Sequence, residues 1–206
     1  MNVGVLALQG AYHAHVRTLR SLGVSATEIR KPADLDGLSG VILPGGESTT
    51  MSMLLDSSGL RQPLTELGNA GVAMLGTCAG LIMLASRIAD GRDDQLPLGL
   101  LDVDVQRNGY GRQLDSFECE LDVDINGMQR MHGVFIRAPK ITRIGQGVRV
   151  LAALDGIPVL VEHGVCLGAS FHPELGNSTL VHRHFLQLAE ASAPATTPPL
   201  THLGSR

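Results

Sequence analysis

Cys78 stands in the stretch Gly76-Thr-Cys-Ala-Gly80, just after an apolar run and just before another. Val72 to Gly76 reads as a short strand and Ala79 to Ala85 as the start of a helix, so the thiol falls on the junction between them. The spacing G-x-C-x-G has the logic of a nucleophile elbow. The nucleophile occupies a strained turn, and each flanking glycine removes a Cβ that would collide with neighbouring backbone. A following helix would aim its free N–H groups and positive dipole end at the sulfur, favouring thiolate. Taken alone, the same cysteine is also consistent with a small buried core residue. The other two cysteines read as core packing: Cys119 lies in the inward register of an alternating strand, and Cys166 lies in the apolar run "GVCLGAS".

A cysteine nucleophile needs a base, and the base needs an acceptor to orient it. "SFHPE" supplies both. Pro173 biases His172 toward an extended backbone, where residues i and i+2 point the same way, so Glu174 can hold one imidazole nitrogen while the other serves the thiol. Glu162-His163 is a rival pair, but its place at a hairpin turn favours solvation. His13 with His15, and His182 with His184, are spaced i and i+2 on helices; this spacing puts them on different faces and argues against a metal site.

The third element is "LPGGESTT", a loop that follows a strand and opens a helix. Its free N–H groups can face an anion, although it lacks the lysine of a P-loop. The N–H groups of Gly46 and of Ala79, the residue after the nucleophile, suit an oxyanion hole for a tetrahedral acyl intermediate. Ser48 has no nucleophile-elbow frame of its own. As an alternative, the loop's glycines merely allow a tight turn.

These residues need a scaffold that brings them to one edge. "VGVLAL", Ala26 to Ile29, Gly40 to Pro44 and Gly71 to Gly76 read as strands, with helices near 11–23, Thr49 to Leu55 and Leu60 to Leu67. Strands alternating with helices imply a mostly parallel sheet covered on both faces. In such sheets the carboxyl ends of the strands line the ligand crevice, where Cys78 and His172 can meet. Beyond Leu101 the period changes: "LDVDVQ" and "SFECELDVDI" alternate apolar and polar residues, and "IPVLVEHGVCLGASF" reads as two strands turning at His163 and Gly164. The second half is therefore expected to add antiparallel strands to the parallel sheet. A last helix, about Ser178 to Ala191, precedes a Pro/Thr-rich tail.

Composition narrows the class. The chain has 206 residues, 44% hydrophobic and 17% charged, with 25 glycines, the balance of a globular α/β protein. Its net charge of −4 and lack of any basic run leave out the footprint of a nucleic-acid binder. Neither a signal peptide nor a membrane span is indicated, and three scattered cysteines fit a reducing, cytoplasmic setting.

Together, "LALQGA", "LPGGESTT", "GTCAGLIMLA", "QRNGYGRQ", "FIRAP" and "SFHPE" resemble the class I, triad-type glutamine amidotransferases, and in particular the glutaminase subunits of pyridoxal 5′-phosphate synthase. The resemblance runs from Val3 to about Gln187. It departs slightly at Gly109, Tyr110 and the approach "HGVFIRAP", away from the triad. It implies a three-layer, flavodoxin-like α/β domain over residues 1–191, while the Pro/Thr-rich composition of 192–206 is that of a disordered tail. It implies hydrolysis of L-glutamine by Cys78, His172 and Glu174 through a cysteinyl thioester, with no cofactor or metal. Gly46, Glu47, Ser48, Arg107, Ile136 and Arg137 would hold glutamine, partly through backbone groups; Gln9 and Gly10 would lie near the oxyanion loop and the partner surface. The implied partner is a (β/α)₈-barrel synthase subunit in a large ring-like assembly. Two other readings stay open: a triad amidotransferase serving a different synthase, and a non-catalytic binding or regulatory protein on the same fold.

Overall fold

A computed structural model describes residues 1–107, 109 and 116–192. The first half alternates as its periodicity predicts: β1 (Asn2–Leu6), α1 (Tyr12–Ser21), β2 (Ser25–Ile29), β3 (Gly40–Leu43), α2 (Ser48–Ser57), α3 (Arg61–Asn69), β4 (Ala73–Thr77) and the short α4 (Ala79–Leu84). The second half is mostly strand: β5 (Ala85–Ile88), β6 (Leu101–Gln106), β7 (Ser116–Asp124), β8 (Met128–Ile136), β9 (Lys140–Ile144), β10 (Arg149–Leu154), β11 (Ile157–His163) and β12 (Cys166–Ala169). The long helix α5 (Leu180–Ser192) closes the described chain.

Seven strands form the main sheet in the order β10-β11-β12-β4-β3-β1-β2. The five from β12 to β2 are parallel, and β11 runs antiparallel between β10 and β12. Strand period sorts the core into two layers. Leu6, Val41, Leu43 and Met74 join one cluster with Met51, Leu55 and Leu64 of α2 and α3. Val3, Val5, Ile42 and Leu75 join the other with Val16 and Leu19 of α1 and Val181 and Phe185 of α5. Both faces of the central strands are thus buried, which is why they read as unbroken apolar runs.

The alternating strands depart from expectation. β11 and β12 do join the main sheet, but β6 pairs with β5 and β9 in a separate three-stranded sheet, and β7 pairs only with β8. Their apolar faces lie against opposite sides of the main sheet: Leu101, Val103 and Val105 on the α2/α3 side, Leu121 and Val123 on the α1/α5 side. A strand with one wet face fits such an outer layer, because a central strand of a covered sheet is buried on both faces. α5 extends through Ser192, and the rest of the tail lies outside the described residues. No helix among the described residues is long and apolar enough to cross a membrane.

Candidate active site

The parallel strands bring the three sequence elements to their carboxyl ends. β4 delivers Cys78, whose backbone takes φ 49° and ψ −106°, a region that L residues rarely enter. Its N–H donates to the Ala169 carbonyl at 2.8 Å, tying the elbow to the end of β12. Both neighbouring glycines are required sterically. A Cβ on Gly76 would lie 2.5 Å from the Gly80 carbonyl oxygen, and one on Gly80 would lie 1.9 Å from that of Leu43. α4 has only six residues before β5 begins, so its dipole at the sulfur is small.

His172 follows β12, and its N–H donates to the Val134 carbonyl of β8 at 2.8 Å. The chain turns here rather than staying extended, since the Leu175 N–H reaches back to the His172 carbonyl at 3.2 Å. The turn still presents Glu174, and its Oε1 lies 2.7 Å from His172 Nδ1. Burial opposes charge on His172, but hydrogen bonds to the Cys78 side chain and Glu174 outweigh it and push the imidazole up to about 10. Burial likewise opposes charge on Glu174, yet the neighbouring His15 and His172 hold its carboxyl below the usual range. The other thiols lack such surroundings. Burial pushes Cys166 up to about 11, and Cys119 is raised by burial together with Glu120 and Asp155.

A cavity of about 330 Å³ opens over Cys78 and His172. Its walls include Gly46, Glu47 and Ser48 from the loop after β3, and Arg107, Ile136 and Arg137 from beyond β6 and the end of β8. The Ile136 carbonyl accepts from Cys78 Sγ at 3.7 Å, and Arg137 has a strained φ of 44°. Glu47 uses its carboxylate to cap α2, accepting from the Thr49 and Thr50 N–H groups at 3.2 and 2.6 Å. Its carboxylate is thereby committed to the helix rather than to a ligand. Ala79 and Glu174 stand buried behind the cavity.

Gln9 and Gly10 brace the glycine loop from outside. Gln9 Oε1 accepts from the Glu47 N–H at 3.2 Å, and its Nε2 donates to the Glu47 carbonyl at 3.4 Å. Gly10 has φ +80°, and a Cβ there would lie 1.9 Å from the Gly45 carbonyl oxygen.

Several participants escape a sequence reading. Gln95, buried between β5 and β6, accepts from Arg107 Nη1 at 2.7 Å, and Thr49 Oγ1 accepts from the same nitrogen at 3.1 Å. His15 and His182, set aside with the other histidines, are fully buried beside Glu174, while His13 points outward. The facing of Glu162 is also corrected. Its side chain is buried rather than solvated, bonded to His184 Nε2, with Arg149 Nη1 at 3.6 Å. Helix α5 packs over the end of β11 and shields this carboxylate, a contact between distant segments that the hairpin pattern does not reveal. Of "QRNGYGRQ", residues 108 and 110–113 lie outside the described residues.

A model of the SNO glutamine amidotransferase family matches residues 5–191. The pyridoxal 5′-phosphate synthase subunit PdxT of Deinococcus radiodurans is 52% identical over 193 residues, covering 92% of this chain and 97% of that one. Its counterpart in Thermus thermophilus is 50% identical over 188 residues, covering 91% and 97%. A crystal structure described as a glutamine amidotransferase, 48% identical, superposes with a TM-score of 0.86 over 91% of this chain and 98% of its own. The family match takes in the elbow, the glycine loop and the His-Glu turn together, and on that ground this chain belongs to the SNO glutamine amidotransferase family.

Proposed function

We propose that the chain is the glutaminase subunit of a pyridoxal 5′-phosphate synthase, hydrolysing L-glutamine to L-glutamate and ammonia. The observation that carries this reading is the strained Cys78 beside a His172 held by Glu174, under a cavity of about 330 Å³. That volume sits at the small end of ligand pockets and suits an amino acid.

The chemistry follows from the protonation of the pair. His172 takes the thiol proton as Cys78 Sγ attacks the side-chain amide carbon of glutamine, and the carbonyl oxygen becomes an oxyanion. The N–H groups of Gly46 and Ala79 receive that charge; Ala79 opens α4, so its N–H has no carbonyl to serve within the helix. His172 returns its proton to the departing nitrogen, the C–N bond breaks, and ammonia leaves a thioester on Cys78. Water, giving a proton to His172, then attacks the thioester and releases glutamate and the thiolate.

Arg107 and Arg137 are cations at the cavity wall that can pair with the substrate α-carboxylate. The backbones of Gly46, Glu47, Ser48 and Ile136 line the same space and hold the rest of the amino acid. Ammonia free in water is protonated and loses its nucleophilicity, so the product is handed directly to a partner. That partner is a (β/α)₈-barrel synthase subunit in a large hetero-oligomeric, cytoplasmic assembly. Docking reorganises the loop braced by Gln9 and Gly10 and so switches on hydrolysis.

The test is ammonia release from L-glutamine by wild type and Cys78→Ala, each with and without the synthase subunit. Release that needs both Cys78 and the partner supports the reading. Equal release without the partner overturns the gating, and release by Cys78→Ala overturns the nucleophile.

A further inference from the structure

Behind the triad lies a buried polar chain that the mechanism above does not use. Glu174 presents Oε1 to His172, but its second oxygen, Oε2, is fully buried with no well-aligned hydrogen bond among the described residues. The group facing it is His15 Nε2 on α1, at 3.4 Å. The same nitrogen lies 3.2 Å from Thr77 Oγ1 at the end of β4, next to the nucleophile. On its other side, His15 Nδ1 lies 3.0 Å from Nε2 of His182 on α5. Both imidazoles are completely enclosed.

The placement of protons follows by elimination. Burial lowers the affinity of both histidines for a second proton, against the opposing pull of Glu174, and in His182 brings it down to about 3; the choice then lies between rings that carry one N–H each. Two arrangements satisfy the bond between them. In one, His15 donates from Nδ1 to His182. Its bare Nε2 then accepts from the Thr77 hydroxyl but meets the carboxylate Oε2 lone pair against lone pair, and the N–H on His182 Nδ1 is left buried without an acceptor among the described residues. In the other, His182 donates from Nε2 to His15 Nδ1, and the His15 Nε2–H points at Glu174 Oε2 and Thr77 Oγ1. The unpartnered atom of the pair is then only a lone pair on His182 Nδ1, a buried nitrogen without a hydrogen-bond partner among the described residues. An orphaned donor and a repulsive contact cost more than an unused acceptor, so the second arrangement wins.

We propose that His15 is a positioning residue for the triad: its Nε2–H holds the second oxygen of Glu174, and His182 fixes the tautomer that makes this possible. The inference rests on the triad reading. Held at both oxygens, the carboxylate cannot rotate about its terminal bond, so Oε1 stays in line with His172 Nδ1. The free Nε2 of His172 then stays aimed at Cys78. The 3.4 Å contact is an electrostatic one: the His15 N–H is better aligned with Thr77 Oγ1 and meets Oε2 off axis. The groups facing Glu174 are His15 from α1 and His172 from its own turn; Thr77 from β4 and His182 from α5 act through His15.

Two measurements test this. Long-range ¹⁵N–¹H NMR of histidine-labelled wild type reads the tautomers directly, and both His15 and His182 are expected as Nε2–H. Glutamine hydrolysis is then measured in complex with the synthase subunit for His15→Leu, His15→Gln and His182→Leu, with melting curves to verify folding. His15→Leu is expected to lose about tenfold or more in kcat with KM within about twofold, the pattern of lost alignment rather than lost binding. His15→Gln, whose amide can reach Oε2, should recover most of that loss. His182→Leu should lower kcat in the same direction although it touches neither substrate nor triad.

A folded His15→Leu with unchanged kcat, a His15→Gln no better than His15→Leu, or an Nδ1–H tautomer at His15 would overturn the proposal. If the variants do not fold, the wild-type NMR decides. Hydrolysis that survives in Cys78→Ala points to failure of the triad reading itself. Cys78-dependent hydrolysis that is indifferent to His15 removes only this inference.

Discussion

A Cβ added to Gly45 would lie 2.2 Å from Cε1 of His172, so the imidazole occupies space that only a glycine leaves open. Gly45→Ala should therefore push His172 away from Cys78. We expect a loss of about 10²-fold or more in kcat, since displacements near 1 Å at a reacting centre have that effect. Thermal melting should change far less than activity, because the ring has the cavity on one side to move into. A variant with near-normal kcat would show that the loop yields instead of the ring.

The elbow glycines should behave in the opposite way. Gly80→Ala sets a Cβ 1.9 Å from the Leu43 carbonyl, backbone against backbone in a packed layer, and should cost about 3 kcal/mol or more. Gly164→Ala at the β11–β12 turn has φ +58° but nothing within 4 Å, and should cost only about 1 kcal/mol. Paired denaturant titrations check the contrast.

The protonation of His172 sets a pH signature. Its value in the fold, about 10, lies above the ordinary 6.5. The stability it contributes is complete below about pH 6.5 and disappears as pH rises through about 10. Hydrolysis should accordingly persist past neutrality and fall on an alkaline limb near that value. Glu174→Gln removes one of the interactions that raise His172, so the limb should move to lower pH and kcat should drop by about 10²- to 10⁴-fold. Rate profiles over pH for the two proteins test both claims, and an unmoved limb would detach Glu174 from the titration.

Arg107 is aimed by Gln95 and Thr49, and the role proposed for it, pairing with the substrate carboxylate, separates binding from chemistry. Arg107→Leu should raise KM for glutamine about tenfold or more with a smaller change in kcat. Gln95→Leu leaves the guanidinium present but unaimed, and should raise KM by a few-fold in the same direction. Steady-state kinetics decide, and an effect confined to kcat would assign these residues another role.

Local patterns carried much of the molecule. The apolar runs at Val3, Gly40 and Ala73 identify strands buried on both faces, and the G-x-C-x-G spacing announces a turn too tight for side chains. His172 and Glu174 pair because they are two residues apart, whether the backbone stays extended or turns. Two hairpins were also within reach of the sequence: Asn126-Gly127 and Asp155-Gly156 are strong turn signals, and all four residues adopt positive φ. What the sequence by itself determined is thus local: the strained turn that carries Cys78, the pairing of His172 with Glu174 and the parallel strands beneath them.

Only the tertiary structure decided which of the one-sided strands joined the main sheet and which became outer layers, because alternation specifies a wet face but not a partner. It alone set Gln95 against Arg107 and buried Glu162 against His184. It alone brought His15 from α1 and His182 from α5 to the far side of Glu174. The physical reason is the same in each case. A side chain has the same local pattern whether it meets water or a buried partner, and the difference lies in which element packs against it, 12 residues away for Gln95 and Arg107, 22 for Glu162 and His184, and 167 for His15 and His182.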